Sequence, residues 1–269
     1  MKANKIERGN RKARIVFAAL VVALGVGVAV GYRELRKLYV ERCELGDIPA
    51  QVEIVAGKMV RPGTIAEVFG LKRGANLADI DFAGKRDEAL RTIPNLREIR
   101  ITRRLPDRVT IVTEERTPVA KMGFVGGKAV TGHVVDTEGV VFDCMRGTQT
   151  LPTIREPQKP GTPKGSRIAG RVLAALKLIE ACREPDFLEL GILEIDTSKR
   201  DFLVVTLSNY SRVKIRWNEM DESTPASRQD LTRRLTLLRD AIRSQISPAT
   251  VIWNATIPER IFADTQGKL

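Results

Sequence analysis

Residues 94–120, PNLREIRITRRLPDRVTIVTEERTPVA, decide how this chain is read. Ile99 and Ile101 alternate with Glu98, Arg100 and Thr102, and Val109 and Ile111 alternate with Arg108, Thr110 and, one step on, Val112. Period-two alternation over a short run marks a half-buried strand. Between the runs, Arg104-Leu105-Pro106-Asp107 has turn chemistry, because proline fixes φ and an aspartate bonds its own backbone. The expectation is a β-hairpin with one apolar and one charged face. Glu115-Arg116-Thr117-Pro118 then breaks the alternation, which marks Glu115, Arg116 and Pro118 as a joint between two folding units.

On the amino-terminal side, Val52-Glu53-Ile54-Val55 reads as a short strand. Arg61-Pro62-Gly63 is a turn, Thr64 a candidate cap, and Ile65, Val68 and Phe69 share a helical face that ends in the glycines of 70–74. A second helix is expected near Phe82 to Thr92, stopped by Pro94. The order over 50–116 is therefore strand, helix, helix, strand, strand.

Further back, Ile15 to Tyr32 is an 18-residue run without charge. As a helix it measures about 27 Å, close to the ~30 Å hydrocarbon core of a bilayer. The expectation is a transmembrane helix over 15–32, with a tail at 1–14 and a spacer at 33–49. Ala29 and Gly31 also suit a signal cleavage site, but the apolar run is longer than a usual signal core. The tail carries Lys2, Lys5, Arg8, Arg11, Lys12 and Arg14 against Glu7 alone, which favours a cytoplasmic amino terminus. Ala19, Ala23, Gly27 and Gly31 fall four apart and form a candidate seam for packing against another membrane helix.

On the carboxy-terminal side the pattern points to a mixed α/β domain over 117–263, with an antiparallel sheet, followed by a polar tail at 264–269. Val119 to Phe124 reads as a strand, Gly126-Gly127 as a turn, and residues 134–142 as two apolar strand pieces around an Asp136-Thr137-Glu138-Gly139 turn. Arg167 to Cys182 reads as a helix with Ser166 as a candidate cap. Leu190–Ile195, Phe202–Ser208 and Arg212–Trp217 should form an antiparallel meander. A long helix opens at Thr224-Pro225, and Ala249 to Ile257 is the expected last strand, with Ile261-Phe262 as a candidate extension.

The net charge is +12. Part of it lies in the basic amino-terminal tail; the rest suits work near anionic polymers or headgroups. With 5% aromatic residues and no basic helix interleaved with stacking side chains, nucleic acid is not an expected partner. Cys43, Cys144 and Cys182 form no CxxC pair, so neither a zinc site nor another metal is expected, and no cofactor motif is present. A Cys144–Cys182 bridge and three free thiols both fit the sequence. His133 is the only histidine and stands before an apolar strand. The chain has no GxSxG, P-loop or HExxH motif, and it reads as a non-enzyme.

Several segments together carry a resemblance. They are Val52-Glu53-Ile54-Val55 before Gly57, Gly74-Ala75-Asn76-Leu77 before Ile80-Asp81, Ile93-Pro94-Asn95-Leu96, Arg103-Arg104-Leu105-Pro106-Asp107, and Glu115-Arg116-Thr117-Pro118-Val119-Ala120. In this order, residues 52–120 resemble a POTRA domain in the form found in the FtsQ/DivIB family of bacterial cell-division proteins. Val135 to Phe142, Leu151-Pro152 and Ile195-Asp196 extend the resemblance over most of the chain.

The resemblance implies a non-catalytic divisome component that recruits or regulates septal cell-wall synthesis proteins. It implies a single-pass protein of the inner membrane, its bulk outside the cytoplasm, at the division septum. FtsB-like and FtsL-like proteins would be its partners. It also implies that a partner strand adds to the edge of the last strand, which places the contact on Thr250, Val251, Ile252, Trp253, Asn254, Ala255, Thr256 and Ile257. Trp253 fits either an exposed anchor or a core position. The Asp-Leu-Arg run frequent in this family strand is replaced by Asn254-Ala255-Thr256. The alternatives are a membrane-anchored POTRA-type assembly or transport factor and an extracytoplasmic cell-wall enzyme.

Overall fold

The computed structural model describes residues 3–104, 106–125, 129–157, 161–222, 224–244 and 252–264, and only the backbone at 3–19, 21–22, 129–131 and 264. The elements in chain order are α1 (Ala3–Arg42), α2 (Ile48–Gln51), β1 (Val52–Val55), α3 (Pro62–Phe69), α4 (Phe82–Thr92), β2 (Leu96–Arg104) and β3 (Arg108–Glu115). Next come β4 (Ala120–Phe124), β5 (Ala129–Val135), β6 (Val141–Asp143), β7 (Thr153–Glu156) and α5 (Gly170–Ala181). A short 3-10 helix (Pro185–Leu190), β8 (Ile192–Asp196), β9 (Leu203–Leu207), β10 (Arg212–Ile215), α6 (Pro225–Arg243), β11 (Ile252–Ala255) and β12 (Phe262–Asp264) complete the α+β fold.

The chain divides into two compact units. The first comprises Met1–Ala56, Arg61–Asp87 and Ile99–Thr113; the second comprises Gly57–Val60, Glu88–Glu98 and Glu114–Leu269. The boundary is thus not a single cut, because 57–60 and 88–98 group with the residues beyond 114.

In the first unit the strands form a sheet in the order β1-β3-β2, with β1 parallel to β3 and Val52 opposite Val109. A parallel pair needs a crossover, which α3 and α4 supply. Ile65, Phe69, Leu77, Phe82, Ile99, Val109 and Ile111 are buried, and the Phe69 and Phe82 rings lie 6.1 Å apart. Gly70 ends α3 at φ 68°, a left-handed backbone that glycine adopts without a Cβ clash. The carboxy-terminal end of α1 is capped by the Asn76 side chain, which donates to the Val40 carbonyl at 2.8 Å.

The apolar run expected to span a membrane lies within α1. Among the described residues no helix is long and apolar enough to cross a membrane, which overturns the transmembrane helix expected over 15–32. The single-pass inner-membrane placement with a cytoplasmic amino terminus rested on that span and falls with it.

The second unit is built on a nine-stranded sheet in the order β12-β11-β10-β9-β8-β7-β4-β5-β6. The expected meander is present, since β8–β9 and β9–β10 are antiparallel. The sheet as a whole is mixed rather than antiparallel, with β4–β7, β7–β8 and β10–β11 parallel. The helices explain two of these pairings: α5 and the 3-10 helix stand between β7 and β8, and α6 between β10 and β11, so each forms a crossover rather than a hairpin; β4 and β7 are instead joined through β5 and β6. Ala175, Leu178, Ile179, Leu231, Leu235 and Leu238 of α5 and α6 share one buried cluster with Ile154, Ile195, Val205, Val213 and Trp253 of the sheet. Thr224 caps α6 by accepting from Ser227 N at 3.1 Å, and Pro225 sits inside the start, where its missing N–H is unneeded.

Candidate functional site: the sheet edge and the joint

Strand addition requires main-chain N–H and C=O groups without neighbours. The expected edge was 250–257. Thr250 and Val251 lie outside the described residues. Ile252 to Ala255 form β11, which pairs parallel with β10 on one side, where Trp253 faces Val213. On its other side β11 pairs antiparallel with β12, with Ile252 opposite Asp264 and Asn254 opposite Phe262. Among the described residues, the unpaired edge is therefore one strand farther out than expected.

A local turn causes the displacement. Asn254 Oδ1 accepts from Thr256 N at 3.1 Å and from Thr256 Oγ1 at 2.7 Å, and Glu259 takes φ 65°. These bonds pull the backbone out of the strand direction, so the residues after Ile257 return along β11 instead of extending it. Trp253 and Ala255 are buried in the core cluster, which answers the anchor-or-core alternative for Trp253 in favour of the core. Arg234 donates to the Ala255 carbonyl at 3.1 Å and pairs with Asp230 at 3.0 Å, fixing β11 to α6. Ile252, Asn254 and Thr256 are half-buried and Ile257 is 48% exposed.

Two strands end the large sheet. Beside β6, Val141 N donates to the Ser166 carbonyl and Gly165 N donates to the Val141 carbonyl, so the 165–166 segment covers that edge. Beside β12 no further strand pairs among the described residues, and Phe262 is 45% exposed.

The residues singled out as a joint are tied by charge to other parts of the second unit. Glu115 accepts from the backbone N–H groups of Lys58 at 2.8 Å, Met59 at 2.9 Å and Val60 at 2.7 Å. Gly57 makes this possible, because a Cβ there would stand 2.2 Å from Glu115 Cδ. Arg116 bonds Asp136 at 2.5 Å, Glu138 at 3.0 Å and the Pro94 carbonyl at 3.1 Å. Asp136 also accepts from Glu138 N and Val140 N, which closes the turn over Gly139. Arg97 links Glu138 at 2.8 Å to Glu114 at 3.0 Å. Hydrogen bonds from Arg116 and then Arg97 hold the Glu138 carboxyl below its ordinary pKa, against the opposing effect of burial. Pro118 is half-buried beside this network. The sequence marked Glu115 and Arg116 as a break; it did not reveal that their side chains tie 57–60, 94–97 and 136–138 together, since those partners are remote in the chain.

The remaining candidates are isolated. The Ala19 side chain lies outside the described residues, Ala23 is exposed, and a Cβ at Gly27 or Gly31 would meet nothing within 4 Å, so these positions face no neighbour in the described chain. His133 Nδ1 lies 3.3 Å from Asp143, which also pairs with Lys164. All three cysteines are free and buried. Among the described residues no group of three His, Cys, Asp or Glu side chains is placed to hold a metal ion. No protein-family model and no curated protein matches the chain.

Proposed function

We propose that this protein is a non-catalytic scaffold of bacterial cell division, which recruits or regulates septal wall-synthesis proteins through protein–protein contacts. The observation that carries the reading is the outer edge of β12, unpaired among the described residues, at the end of a nine-stranded sheet. Main-chain groups there give a partner strand affinity, and exposed Phe262 and Ile257 give it apolar contacts. The resemblance of residues 52–120 to the FtsQ/DivIB pattern supplies the process, and small FtsB-like and FtsL-like proteins are the proposed partners. The site moves from β11 to β12, because β11 is already paired on both sides.

Depletion followed by microscopy tests the process: filaments with blocked septa are expected, and cells dividing at normal length would refute it. Co-purification with the FtsB-like protein tests the site. Phe262→Glu together with Ile257→Glu should abolish capture, and undiminished capture would defeat the edge assignment.

A further inference from the structure

Between α5 and α6, on the helical layer of the second unit, lies a cleft of about 290 Å³. Trp217 and Leu231 give it an apolar wall, and Lys177, Glu180, Glu222 and Arg228 bring charges of both signs. The indole of Trp217 is already satisfied, donating to Ser227 Oγ at 3.1 Å, and Ser227 Oγ donates on to the Glu219 carbonyl. Lys177 is different. Its Nζ is shielded from solvent and has no hydrogen-bond partner among the described residues.

A buried ammonium without an acceptor is costly, and its persistence calls for an explanation. Glu180 stands one helical turn away on α5, yet forms no ion pair with it among the described residues. Burial lowers the pKa of Lys177 despite the attraction of Asp221, Glu222 and Glu180, and burial raises that of Glu180. Lys177 Nζ is thus a shielded cation without an acceptor, and Glu180, half-buried one turn along the same helix, lines the same cleft and is drawn on by Arg183 and Arg228. Desolvated charges in a cleft are the pattern of a ligand site.

We propose that this cleft binds a small zwitterion of the amino-acid or dipeptide type, its carboxylate on Lys177 and its ammonium on Glu180. The ligand carboxylate would give Lys177 Nζ the acceptor it lacks, and an ammonium beside it would lie against Glu180 one helical turn away. Glu184, Glu222 and Arg228 also line the cleft. This inference goes beyond the scaffold reading and does not depend on it.

Titration of the full chain with L-alanyl-L-alanine, followed through the indole N–H resonance of Trp217, tests the proposal. A Trp253→Phe chain distinguishes the two indole signals. A saturable shift is expected at millimolar dipeptide. The Nα-acetylated dipeptide and the dipeptide amide, each lacking one charge, should bind at least about tenfold more weakly to the same unmodified chain. Lys177→Met and Glu180→Gln should each weaken binding by a similar factor. No saturable shift, or equal binding of the singly charged analogues, would overturn the proposal.

Discussion

Glu115 shows how one side chain organises its surroundings. Its carboxylate accepts from three successive backbone N–H groups, of Lys58, Met59 and Val60. Glu115→Gln keeps the shape but loses the charge and part of the acceptor capacity, and it should cost about 1–3 kcal/mol in urea unfolding. Gly57→Ala should cost at least as much, since its Cβ collides with the same carboxylate. Arg116→Met removes the cation from Asp136, whose side chain is 4% exposed, and should cost about 3 kcal/mol, as expected when a buried pair loses one member. Glu138 adds a pH dependence. Its pKa is lowered in the folded state, so its contribution is present above the ordinary carboxylate range and is lost as pH falls through the lowered value. The stability difference between the native chain and Glu138→Gln, measured from pH 7 downward, should shrink in that acid window. The thiols give a further check. Burial pushes the Cys182 thiol up to about 12, and Cys43 and Cys144 are buried as well. Thiol reagents at neutral pH should find none of the three in the folded chain and all three in denaturant.

At the scale of elements, burial separates the roles of neighbouring strands. Trp253→Ala on β11 should cost about 3–5 kcal/mol, because the indole sits in the main core. Phe262→Glu on β12 should change stability by no more than about 0.5 kcal/mol, because the ring is exposed. Thermal or urea unfolding of the two variants separates them. The strands and helices between 52 and 115 were legible because alternation and helical spacing are local signals. So was the β8–β9–β10 meander, whose turns are short. The parallel pairings were not, since alternation does not tell a parallel neighbour from an antiparallel one; the crossovers through α5 and α6 decide two of them, and the path through β5 and β6 decides the β4–β7 pair. Nor was β12 legible as a separate strand. Three residues are too few for a period, and the reversal rests on the Asn254 side chain bonding its own backbone. At the other end of the chain, hydropathy favoured a membrane span over 15–32, whereas no described helix is long and apolar enough to cross a membrane. The start of α5 also moved: Ser166 was the candidate cap, but the helix begins at Gly170 behind Ala169, because Ile168 N is bonded to the Gly139 carbonyl and Ser166 runs beside β6.

At the scale of the whole molecule, the chain passes between its two units more than once. Segments 57–60 and 88–98 group with the second unit although they lie within the first strand–helix–helix–strand–strand run. The linear sequence pointed to one joint near Glu115 because a break in periodicity is visible only along the chain. The partners of Glu115 and Arg116 are drawn from three separate stretches, all grouped with the second unit. The central claim, however, rests on the other end of the large sheet, where β12 offers its outer edge. Amide hydrogen exchange of the full chain, with and without the FtsB-like partner, tests that claim most directly. The account predicts that amides in Phe262–Asp264 gain protection on binding while those of β11, already paired, change little. Unchanged exchange across 262–264 in a saturated complex would contradict it.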